Sequence, residues 1–79
     1  MARVLLFGPL RDLAGWRERR IDAASVAVLR SVLAAEDAAL GAALGGKGVQ
    51  VAVDQAVVRG DVALGADSEV AFLPPMSGG

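Results

Sequence analysis

A chain of 79 residues with eight basic and nine acidic side chains, net charge −1, has room for one small domain and no excess of charge with which to hold nucleic acid. Apolar residues make up 54% of it, so a core can form, yet a chain this short buries only about 60% of the surface its unfolded form exposes and cannot build a deep cleft between domains. Cys and His are both absent, which excludes disulfides, thiolate nucleophiles, zinc sites of the usual type and the commonest general base.

The basic residues are unevenly placed. Arg3, Arg11, Arg17, Arg19, Arg20 and Arg30 fall in the first thirty positions, leaving Lys47 and Arg59 among the acids of the remainder and a mild dipole between the halves. The most apolar stretch, Ala23 to Ala35, is interrupted by Arg30. It is also far shorter than the roughly 20 residues a membrane span needs, and it starts too deep in the chain for a signal peptide. A soluble cytoplasmic protein is the expectation.

In chain order, Arg3 to Phe7 is rich in β-formers and apolar on both faces, and Gly8-Pro9 ends it, as suits a central strand contacted on both sides. Leu10 to Gly15 reads as a loop. Trp16 to Asp22 is so polar that it fits only an exposed or edge strand, returning antiparallel to the first as a hairpin. Ser25 is placed to cap a helix in which Val26, Leu29, Val32 and Leu33 follow helical spacing. Asp37 to Leu44 adds a helical turn or two with Ala39, Leu40, Ala43 and Leu44 on one stripe, before the glycines at 45, 46 and 48 break it. Val49, Val51 and Val53 alternate, Asp54-Gln55 makes a turn into Ala56 to Val58, and Glu69 to Leu73 is the last strand, stopped by Pro74 and Pro75. This order suits one α+β domain over residues 1–79, a mixed sheet with one main helix across one face. If Val4, Leu6, Val70 and Phe72 face the helix, then Leu5, Phe7, Ala71 and Leu73 face the other way. Left uncovered, they form an apolar patch of the kind that marks a partner surface.

Most candidate motifs have an ordinary structural explanation. Gly41 to Gly48 matches a phosphate-binding loop except that Gly48 lacks the hydroxyl for magnesium, and it runs from helix to strand, the reverse of the order that points amides at phosphate. Arg17, Arg19 and Arg20 read as protection of a strand edge, Trp16 as cover for its own turn, and Arg11-Asp12 as a solvated pair. The segment 73–79 differs. It has no charged side chain, two prolines that cannot join a sheet, and two glycines at its end. Fully extended, seven residues reach about 23 to 25 Å, enough to thread a narrow channel with a terminal carboxylate at the tip.

Val4-Leu5-Leu6-Phe7, Leu10 to Gly15, Ala52-Val53-Asp54-Gln55 and above all Glu69 to Gly79 resemble the small sulfur-carrier subunits of molybdopterin synthase, over essentially the whole chain. The tail pattern of acid, Val, Ala, Phe, an aromatic or aliphatic residue, Pro-Pro, any residue, Ser or Thr and Gly-Gly is the specific part. The resemblance implies a ubiquitin-like β-grasp fold. It implies that an E1-like partner uses ATP to adenylate the carboxylate of Gly79, supplying a leaving group the carboxylate lacks, and that sulfur from a persulfide donor then makes a thiocarboxylate. It further implies that Pro74, Pro75, Met76, Ser77 and Gly78 thread the partners' active sites, so that sulfur reaches cyclic pyranopterin monophosphate in the large synthase subunit. Phe7 and Arg11 match the family's partner contacts, while Val57 and Leu73 stand where it uses other apolar residues. Asp54 replaces a frequent Asn, which bears on turn geometry alone.

On this reading the chain is a non-catalytic subunit of an enzyme complex, binding no metal, cofactor, nucleic acid or membrane. Two related roles share the Gly-Gly end: the sulfur carrier for the thiazole of thiamine, and a ubiquitin-like modifier joined to lysines of other proteins. Pro74-Pro75 and Ser77 favour the molybdopterin carrier over the thiamine one. A β-grasp adaptor with an inert tail is the purely structural alternative.

Overall fold

The computed structural model describes residues 1–75. In chain order they form β1 (Ala2–Leu6), α1 (Pro9–Ala14), β2 (Glu18–Ile21), α2 (Val26–Glu36), α3 (Ala38–Leu44), β3 (Gln50–Val53), β4 (Ala56–Val58) and β5 (Glu69–Leu73). The strands make one sheet in the order β2-β1-β5-β3-β4. β1 pairs antiparallel with β2 and parallel with β5, and β3 pairs antiparallel with both β4 and β5. The final strand is therefore the middle one. Although β1 is flanked on both sides as its composition requires, the expectation that it is central gives way to β5, whose place is set on one side by pairing with residues 66 positions away.

Period-two alternation puts Val4, Leu6, Val70, Phe72 and Val51 on one face, all but sealed from solvent. Val26, Leu29 and Leu33 of α2, Leu40 and Leu44 of α3 and Leu10 of α1 pack onto them as a single core. Helix α2 begins where Ser25 accepts from the Val28 amide at 3.2 Å. Asp61 accepts from Ala27 N at 2.8 Å, so a carboxylate offsets the exposed amides of that end. At Asp37 the backbone turns extended, ending α2, and its side chain accepts from Leu40 N to start α3. Here one residue divides what the sequence shows as nearly continuous apolar spacing.

Residues 9–14 are a helix and not the expected loop. Pro9 stands at the start, where a missing N–H costs nothing, and Gly15 closes the end in a left-handed conformation with its N–H on Arg11 O. With six residues, α1 is too short to show helical periodicity. Arg19 lies over the Trp16 ring at 5.0 Å and bonds Glu36 at 2.8 Å, tying β2 to the end of α2. That hydrogen bond holds the Glu36 carboxyl below its usual range and raises Arg19. Among the described residues, no helix is long and apolar enough to cross a membrane.

Candidate functional site

The face of the sheet opposite the helices is uncovered. Register places Glu18, Leu5, Ala71, Ala52 and Val57 in one row across all five strands. Four of the five are apolar, and Val57 is 57% exposed. One step further along, Leu73 pairs with Gln50 and is half-buried. Continuing the Leu6–Phe72 register beyond the end of β1 brings Phe7, 44% exposed, beside Leu73. Ala52 and Ala71 are buried within the row, so the apolar surface left to solvent belongs to Phe7 and Val57, with Leu5 and Leu73 half-buried, and surface of this kind marks a partner site.

The opposite end of this face is charged. Arg3 stands between Arg20 and Glu69 in the register, and its guanidinium bonds the Glu69 carboxylate. Asp54 accepts from Glu69 N at 2.9 Å and donates its own N–H to Glu69 O at 2.8 Å. Asp54 and Gln55 both have positive φ, at 50° and 71°, as the tight β3–β4 turn requires. Asp therefore serves in the turn where Asn is frequent, and its side chain also clips the turn to β5. Met1, Arg3, Arg20, Asp54, Gln55, Asp67 and Glu69 line a hollow at this end. Charge at one end and apolar surface at the other give the face a direction, and the chain leaves β5 at the apolar end.

Of the residues singled out from sequence, Phe7 and Leu73 each follow one residue of the last β1–β5 pair, Leu6 and Phe72, and Pro74 and Pro75 follow Leu73 directly. Val57 shares their face, two strands from Leu73 and three from Phe7, roughly 10 and 14 Å across the sheet at ordinary strand spacing. Arg11 is not on the sheet. It is exposed on α1, lining a hollow with Asp12, Gly15, Trp16 and Arg17, and its Nε stands 3.9 Å from Asp12, too solvated for that pair to hold it. Met76, Ser77, Gly78 and Gly79 lie outside the described residues. Sequence reading missed Ala52, whose small side chain continues the apolar row, and Leu13, 47% exposed on α1. Ala52 was legible by parity with Val51, whereas Leu13 needed the helix. The segment likened to a phosphate loop divides between α3 and its ending, with Gly45 at the cap. Among the described residues, no three His, Cys, Asp or Glu side chains converge to hold a metal.

Comparison with known proteins agrees with this architecture along the full chain. Residues 4–79 match the ThiS family. The molybdopterin synthase sulfur carrier subunit of Escherichia coli (strain K12) is 36% identical over 81 residues, covering 100% of both chains. SAMP1 from Haloferax volcanii superposes with a TM-score of 0.85 at 28% identity, over 99% of this chain and 98% of that one. The complex of subunits 1 and 2 of molybdopterin-converting factor from Helicobacter pylori 26695 contains a chain that superposes with a TM-score of 0.73 at 22% identity, over 99% and 97%, a likeness of fold. The five-stranded mixed sheet with its helices on one face is thus a ubiquitin-like β-grasp of the α+β class, and the chain belongs to the ThiS family.

Proposed function

We propose that this chain is the sulfur carrier of a molybdopterin synthase, bearing sulfur as a thiocarboxylate on Gly79. The observation that carries the reading is the full-length likeness, at 36% identity, to a subunit of that name. The geometry supports it. A tail that leaves the middle strand beside an uncovered apolar surface can be presented while that surface is held by a partner. A chain with no Cys has no side chain on which to carry sulfur as a persulfide, so a backbone carboxylate is the credible carrier.

In this mechanism an E1-like enzyme transfers AMP from ATP to the Gly79 carboxylate, releasing pyrophosphate. The terminal sulfur of a persulfide donor attacks the acyl carbon and displaces AMP, and a thiol of the donor system then cleaves the S–S bond of the resulting acyl disulfide, leaving the thiocarboxylate and a new disulfide. Phe7, Leu73 and Val57 then dock on the large synthase subunit with Arg11 at the margin, and Pro74 to Gly78 pass into its active site. There the sulfur is transferred to cyclic pyranopterin monophosphate. The carrier binds no cofactor, and the ATP belongs to its activating partner.

The test is reconstitution. Carrier thiocarboxylated at Gly79, mixed with a large synthase subunit and cyclic pyranopterin monophosphate, should yield molybdopterin, whereas the plain carboxylate form should not. Product formation with a thiazole synthase and none with the large subunit would assign the chain to thiamine synthesis instead.

A further inference from the structure

The end of β5 lies between the ends of its two neighbours. β1 runs parallel to β5 and stops at Leu6, so its turn into α1 lies at the edge where β5 ends; β3 is antiparallel, so the loop that leads into it lies there too. Each of these connections places a glycine of positive φ against one proline. A Cβ on Gly8, φ +56°, would come within 3.2 Å of Pro74 Cγ, and a Cβ on Gly48, φ +87°, within 3.0 Å of Pro75 Cβ. Gly8 also has ψ −133°, a combination open essentially to glycine alone. The prolines restrict the chain from their own side, since each ring fixes φ and Pro75 keeps Pro74 extended.

We propose that Gly8 and Gly48 are positioning residues that form a two-sided seat for Pro74 and Pro75, setting the direction in which the tail leaves the domain relative to the Phe7–Leu73 patch. The proposal rests on the carrier reading above. Four residues carry the chain from Pro75 to Gly79, a reach of at most about 13 to 14 Å, so a partner that grips the patch meets Gly79 where the root aims it. Misplacing a reacting group by about 1 Å can cost on the order of 100-fold in rate without weakening binding elsewhere.

The experiment is ATP–pyrophosphate exchange by the cognate E1-like enzyme with the full chain as substrate, separating maximal rate from the half-saturating carrier concentration. Gly8→Ala and Gly48→Ala should lower the maximal rate about tenfold or more and move the half-saturating concentration less than about twofold. Gly60→Ala is the control for strain, because Gly60 has φ +72° with nothing within 4 Å of a Cβ there. It should lower the melting temperature and leave the rate alone. Pro74→Ala removes the Cγ that a new Cβ at position 8 would strike, so the double variant should be no slower than Pro74→Ala alone. Pro74→Ala with Pro75→Ala, which leaves both glycines native, should also lower the maximal rate in a chain that melts as the parent does, and this arm decides the matter if the glycine variants do not fold. Wild-type rates in the glycine or proline variants, an equal loss in Gly60→Ala, or a double variant that loses the product of its two single losses would overturn the seat. Absence of exchange with the unaltered chain would instead overturn the carrier reading.

Discussion

The two faces of β5 have similar composition and opposite fates. Val70 and Phe72, both 0% exposed, point into the helices, while Ala71 and Leu73 point to a face that the protein itself leaves uncovered. Ala71 is nonetheless buried, since its small side chain sits below its neighbours in the sheet. The same hydrophobic chemistry stabilises the fold on one side and is available to a partner on the other. Substitutions on the two faces should therefore separate stability from association.

The largest stability effect belongs to the helix side. Phe72→Ala should cost about 3–5 kcal/mol, read from denaturant melts, because it empties the middle of the core and removes the ring beneath the Arg30 guanidinium, 5.6 Å away. A loss below about 1 kcal/mol would break the comparison. Ser25→Ala, which removes the cap of the helix covering that face, should cost about 1 kcal/mol. On the open face, Phe7→Ala and Val57→Ser should change stability by no more than about 0.5 kcal/mol. By titration calorimetry the same two should weaken binding to a large synthase subunit by about 1–2 kcal/mol each, as anchors at the centre of an interface do. The smallest effect is confined to acid. Glu36 is held below its ordinary pKa by Arg19, so its contribution is complete above the ordinary Glu value of about 4.3 and is lost as the pH falls through the lower folded value. Glu36→Gln should remove that part of the acid dependence of the melting temperature and leave sulfur loading unchanged; an unaltered acid slope would show the pair contributes nothing.

What could be read from sequence was local. Alternation in Arg3 to Phe7 and Glu69 to Leu73 reveals which side chains share a face, and Ser25 before an apolar helical spacing reveals a helix start, because neighbouring residues determine both. Strand order was not accessible in this way. β1 and β5 are both apolar on both faces, so composition marks each as interior without saying which lies in the middle. Helix α1 was hidden by its brevity, although Pro9 and Gly15 mark its two ends. The patch was legible as parity at Phe7 and Leu73, and Val57 joined it only through the likeness to known carriers. The glycine seat was invisible because residues 8 and 48 meet 74 and 75 only after the sheet has formed.

The central claim is that the carboxylate of Gly79 receives the sulfur, and intact mass tests it most directly. After incubation with the cognate E1-like enzyme, ATP and a persulfide donor, the chain should gain the mass difference of sulfur for oxygen, once, and lose it on transfer to the large subunit's substrate. A chain lacking Gly79 should gain nothing. The same gain in that truncated chain, or no gain in the intact one, would contradict the account.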